Sequence, residues 1–161
     1  MPENTKRGLT ELHPAEGTGF ADLEREAHTQ SYNGFTPYQR MKGDEIVKKA
    51  IAAGTWNFEK KCSLCGLTDG HIWVHQEDYA RPLEDSRPIC VECHMRLHMR
   101  FRFPNLWHHY CLWLRQGNKP PVWKNNGAFI AAHPMGSMRE AAPVEFTPDP
   151  AKWWEMLSVK R

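Results

Sequence analysis

The sequence predicts an α+β chain organised around one small metal module, and three features carry that prediction. Two Cys-x-x-Cys pairs, Cys62 with Cys65 and Cys90 with Cys93, stand 24 residues apart (66–89). Between them, HIWVHQEDY alternates β-branched and aromatic residues with polar ones, the pattern of a half-buried strand. After the second pair, a stretch free of Gly and Pro from Ile89 to Phe101 places His94 and His98 one helical turn apart on a single face.

The spacing of the cysteines has a direct chemical reading. Thiolates two residues apart on a tight knuckle can face one ion, and two knuckles complete the four-sulfur shell that zinc favours where it holds structure. Closing the intervening loop costs a few kcal/mol of chain entropy, roughly, whereas structural zinc returns on the order of 10 kcal/mol. Five cysteines in a chain whose first residues, Met1 to Gly17, are polar and lack an apolar run point to a reducing, cytoplasmic setting rather than to disulfides.

Composition narrows the function classes. With 161 residues there is room for one domain and modest appendages. A net charge of +2 excludes binding of nucleic acid by bulk charge, so any such contact is local. No stretch approaches the roughly 18 apolar residues of a membrane span, and no membrane partner is expected. Seven tryptophans, mostly outside the metal module, supply the core that a small zinc centre lacks.

The elements follow in order. Residues 1–18 read as a polar arm, and 19–30 as a short helix with few apolar positions. SYNGFTP (31–37) is a turn by its Asn-Gly and Thr-Pro steps. A helix runs from Thr36 or Asp44 to Ala53, with Ile46, Val47, Ala50 and Ile51 on its inner face and Gly54 past its end. Gly70–His75 is a strand, and ARPLEDSRP a connection. The His94/His98 helix spans Ile89–Phe101. Pro104 opens another helix with Leu106, Tyr110, Trp113 and Leu114 inside, and Gly117 closes it. Asn118–Pro148 reads as a long Pro- and Gly-rich wrapping loop. Asp149 and Pro150 then start a last short helix carrying Trp153 and Trp154 as a docking anchor. The expected organisation is thus an arm (1–35), a metal domain with flanking helices (36–117) and a wrapping segment (118–161).

The stretch VHQEDYARP followed by ICVECHMRLH resembles the pattern HHxDYxxP … LCxxCHxxxH of the HNH endonuclease superfamily. The likeness is closest to the branch with two zinc knuckles that includes phage recombination endonuclease VII and small phage and bacterial HNH proteins. It covers about 40 of the 161 residues. The resemblance implies a ββα-metal fold, a bacterial or phage-infected cell as its setting, and two ions. Cys62, Cys65, Cys90 and Cys93 would hold structural zinc. His75, His94 and His98 would hold a second, catalytic divalent ion (Mg, Mn, Ni or Zn). Arg96, Arg100 and Arg102 would lie along the phosphates of a nucleic acid, DNA foremost.

The sequence departs from that pattern at the general base, where the family's His is Gln76, a residue that takes no proton at neutral pH. No Asn lies between His75 and His98, leaving Asp85 or Ser86 to stand in. Glu77 or Asp78 could replace the base, or a shifted register would make His75 the base and His71 a ligand. Two functions therefore stand side by side: metal-dependent phosphodiester cleavage with His75, Glu77 and Asp78 as catalytic candidates, or a nuclease-derived module without catalysis that binds DNA or a protein, as an inhibitor or adaptor. A protein partner would dock on the Trp-rich C-terminal region.

Overall fold

The computed structural model describes residues 31–160, so the predicted arm at 1–18 and the predicted helix at 19–30 lie outside the described residues. The fold is α+β, with several helices and one two-stranded sheet. The described residues form two compact units, 31–58 with 75–87, and 59–74 with 88–160.

In the first unit, Tyr32 and Phe35 exchange main-chain hydrogen bonds of 3.0 and 2.9 Å around a turn. Asn33 and Gly34 both take positive φ (49° and 79°) there, the geometry an Asn-Gly step supplies at least cost. Helix α1 (Pro37–Ala52) follows at once. Its start is fixed by a reciprocal cap: Thr36 Oγ1 accepts from the Gln39 N–H, Gln39 Oε1 accepts from the Thr36 N–H, and Pro37 opens the first turn.

The buried face of α1 is Arg40, Gly43 and Val47: Val47 points inward as predicted, whereas Ile46 and Ile51 do not. Ile46 and Ile51 are 47% and 38% exposed. What α1 packs on explains the difference. The ring of Tyr79 comes so close that a Cβ on Gly43 would stand 2.8 Å from its Cδ1. Arg40 lies over the rings of Tyr32 and Tyr79, 5.3 and 5.5 Å from their centroids. A small residue and a cation meet aromatic rings here, so the apolar periodicity does not choose the inner face. The connection ARPLEDSRP contains one helical turn, α2 (Pro82–Asp85), packed against α1.

Strand β1 (Ile72–His75) pairs with β2 (Arg87–Cys90). Helix α3 (Val91–Met99) leaves β2 directly, with Cys90 as its extended N-cap. The predicted helix start at Ile89 is therefore corrected: Ile89, fully buried, and Cys90 belong to the strand. Helix α4 (Pro104–Arg115) buries Trp107, Tyr110 and Cys111 at i, i+3, i+4, while Leu106, Trp113 and Leu114 are only half-buried. The inner face is rotated from the prediction, with Trp107 pointing inward and meeting Trp154 edge-on at 6.3 Å.

The predicted loop at 118–148 holds a further helix, α5 (Asn126–Ala132), capped by the Asn125 side chain on the Ala128 N–H and anchored by buried Phe129. A 3-10 turn (Met135–Ser137) follows it. The chain then does wrap α4. Glu140 accepts from the Leu106 N–H, His109 donates to the Ala142 carbonyl, and the ring of His108 stacks on Phe146 at 4.5 Å. No helix forms among the described residues after Pro150. Asp149 accepts from Ala151 as predicted, but the stretch closes in tight turns around the inward Trp154 and Glu155. Glu155 takes hydrogen bonds from Arg115 and from the Asp149 N–H, an attachment that an uninterrupted helix would pull apart. No helix among the described residues is long and apolar enough to cross a membrane.

Candidate metal centre

The ligand atoms of Cys62, Cys65, Cys90 and Cys93 lie within 4.8 Å of one another, and all four residues are buried. Local backbone geometry brings them there. In the first knuckle Gly66 adopts φ +76°, its N–H donates to Cys62 O at 2.9 Å, and the Cys62 N–H donates to Leu67 O at 2.8 Å. The Ser63 N–H reaches Pro88 O at 2.8 Å and straps this knuckle to β2. In the second, Cys90 ends β2 and Cys93 sits in the first turn of α3, where the helix dipole favours negative sulfur.

All five cysteines are free thiols, and the 3.7 Å between Cys65 Sγ and Cys90 Sγ is far beyond a covalent bond of about 2.05 Å. Four thiols in one buried spot hold their protons unevenly. Hydrogen bonds from the other three thiols draw Cys62 down, its contact in turn holds Cys90 up, and burial holds Cys93 up. A divalent cation replaces that opposition with attraction to every thiolate. Four buried sulfurs with no competing oxygen ligand fit a closed tetrahedral site, so the cluster could hold a metal ion such as zinc.

Two further residues touch this centre. The Tyr110 hydroxyl lies 3.1 Å from Cys93 Sγ, and the Lys119 ammonium donates to the Cys65 carbonyl. Neither was legible as a metal neighbour. Tyr110 arrives from α4, where it reads as one more apolar position, and Lys119 from an irregular segment without any motif.

On α3, His94 and His98 point the same way. Their Nε2 atoms are 3.0 Å apart and their rings cross at 88°, close enough for one nitrogen to donate to the other. The Trp73 ring lies 5.9 Å from that of His94. His71, read as a ligand under the shifted register, packs edge-on against Trp73 at 4.4 Å.

In the other unit, His75 ends β1 and is buried, with Nε2 2.6 Å from Glu77 Oε1. The Glu77 carboxylate also accepts from the Tyr32 hydroxyl at 2.6 Å and from the Asn33 amide. Asp78 accepts from the Ala80 N–H and from Arg81 Nε, and Arg81 holds its carboxyl below the usual range. Asp85 Oδ2 accepts from the N–H groups of both Glu77 and Asp78, at 2.6 and 2.7 Å, which fixes the turn after β1. Gln76 is 3% exposed and donates to Asp44 Oδ1 at 3.0 Å, pinning this turn to α1.

The three arginines predicted along a phosphate backbone have different surroundings. Arg96 pairs with buried Glu92 at 3.0 Å and lies over the rings of Tyr110 and Phe129. Glu92 uses its other oxygen for the Trp123 indole at 2.7 Å. Arg100 is 1% exposed and donates to the carbonyls of Leu97 and Ser158, which corrects its assignment to a phosphate-facing surface. Arg102 is exposed, its guanidinium 5.3 Å from the Phe103 ring.

Comparison with known proteins finds no family model, no curated protein and no solved structure that matches this chain.

Proposed function

We propose that this chain is an HNH-like metal protein that acts on nucleic acid, DNA foremost, in a bacterial or phage-infected cell. The observation that carries the reading is the join of β2 to α3. One tight junction sets two cysteines of a buried four-sulfur cluster and, one turn on, a pair of histidines whose Nε2 atoms are 3.0 Å apart. The order strand, connection, strand, helix is what the resemblance in sequence leads one to expect of a ββα-metal module.

In this reading the cysteines hold zinc, and His94 and His98 hold a second divalent ion, to which the resemblance in sequence adds His75. Such an ion, when bound, stabilises the leaving oxygen and the charge on a phosphate. The chain's own residues orient the ligands: Glu77 Oε1 accepts a hydrogen bond from His75 Nε2, and Asp85 holds the turn that follows. Arg102 meets the phosphate backbone.

One observation favours the second reading, binding without cleavage. Gln76, at the general-base position, is buried and bonded to Asp44. It fills a structural place and cannot take a proton from water.

The deciding experiment is cleavage of plasmid and single-stranded DNA by metal-stripped protein resupplied with Mg, Mn, Ni or Zn, beside a His75→Ala control. Cleavage lost in the control establishes the nuclease. DNA binding without cleavage by any ion establishes the DNA-binding module, and neither activity overturns the proposed action on DNA.

A further inference from the structure

The four-sulfur cluster poses an electrostatic problem. Four thiolates around a divalent cation leave a net charge of −2, and the residues that carry it are 5% exposed or less. Buried charge of that kind persists only where donors are aimed at it. Helix α3 aims its N-terminus at the site, the Cys65 N–H donates to the Cys62 sulfur, and the N–H groups of Cys62, Ser63 and Gly66 bond to main-chain carbonyls. A side-chain donor points at sulfur as well. The Tyr110 hydroxyl stands 3.1 Å from Cys93 Sγ, within hydrogen-bond range for sulfur.

The direction of that bond depends on the state of Cys93. In a thiol either atom could donate. A metal-bound sulfur has no proton, so the phenol must be the donor. The ring is held for this purpose: it stacks on Trp113 at 5.7 Å and 20°, and the Arg96 guanidinium covers it at 5.7 Å. Cys93 is fully buried, so water does not substitute for the phenol.

We infer that Tyr110 is a positioning residue of the metal centre, donating its hydroxyl hydrogen to the Cys93 thiolate and so setting how tightly the ion is held and how electron-rich that sulfur is. Partners of this kind around a metal ligand are worth about 10- to 100-fold in affinity. The inference concerns the cluster alone and stands whether or not the chain cuts nucleic acid.

The test is Tyr110→Phe, which removes one buried oxygen and keeps the ring, measured on the full chain beside Trp113→Phe, which changes the ring's neighbour and keeps the hydroxyl. Two quantities are read: zinc affinity by chelator competition, and the sulfur-to-cobalt charge-transfer band after Co(II) replaces zinc. A thiolate that loses its hydrogen bond gives up electrons more readily. Tyr110→Phe is therefore expected to move the band to lower energy and to weaken zinc binding about 10- to 100-fold, with neither change in Trp113→Phe. An unmoved band in Tyr110→Phe overturns the inference. So does an equal shift in Trp113→Phe, since the effect is then one of packing.

Discussion

Arg100 and Ser158 are joined across 58 residues of sequence: the guanidinium Nε donates to the Ser158 carbonyl at 2.9 Å, while Nη1 donates to Leu97 O at the same distance. The bond ties the last turn of α3 to the C-terminal segment. Replacing Arg100 with Ala leaves two inward carbonyls without this donor and is expected to lower stability by about 2–3 kcal/mol in urea unfolding. If the proposed DNA contact exists, its salt dependence belongs to exposed Arg102 instead. Arg102→Ala should leave stability unchanged and reduce the salt slope of binding by about one.

The Arg115–Glu155 pair predicts an acid limit. Burial works against the Glu155 carboxylate, but Arg115 and the Asp149 N–H more than offset it and hold the group below its ordinary value near 4.5. A carboxyl lowered on folding adds stability that is full above the unfolded value and is lost as pH falls through the folded one. Unfolding experiments from pH 6 to pH 2 should show this loss below about pH 4.5 in the native chain. In Glu155→Gln the dependence should flatten, with stability at neutral pH lower by about 1–3 kcal/mol.

Gly43 should not tolerate alanine, although alanine is the better helix former by about 1 kcal/mol. The added methyl would stand 2.8 Å from Tyr79 Cδ1 and 3.1 Å from Gln76 Oε1. Net destabilisation of about 1–2 kcal/mol is expected in Gly43→Ala, and a gain in thermal stability would show that Tyr79 packs elsewhere.

Metal removal should be felt through the whole cluster. A strong chelator, or Cys62→Ser, is expected to release the ion and cost the second unit several kcal/mol, roughly, since the knuckles' geometry depends on it. Metal content per chain and amide exchange at Ile89, Val91 and Leu97 check this. Retained protection in the metal-free chain would mean that the apolar core suffices.

The parts of the fold that the sequence made legible are those set by local chemistry. The Asn33–Gly34 turn and the paired cysteines each depend on residues a few positions apart. What stayed hidden depends on distant partners. The inner face of α1 is set by Tyr79, some 36 residues beyond Gly43, and the segment after Pro150 is bent by Arg115. Helix α5 was hidden for another reason: NNGAF looks like a loop until Asn125 is seen as its cap and Phe129 as its anchor. At the candidate site the cysteine set was readable from spacing, whereas Tyr110 and the burial of Arg100 were not, because charge in sequence does not reveal which cation a fold encloses.

The two units are interleaved along the chain. Residues 75–87, which complete the unit built on α1, sit inside the loop whose ends are Cys65 and Cys90. No single cut can therefore free either unit intact. A fragment ending at Phe58 lacks Gln76, Tyr79 and Asp85, and one beginning at Glu59 carries them without the helix they pack on.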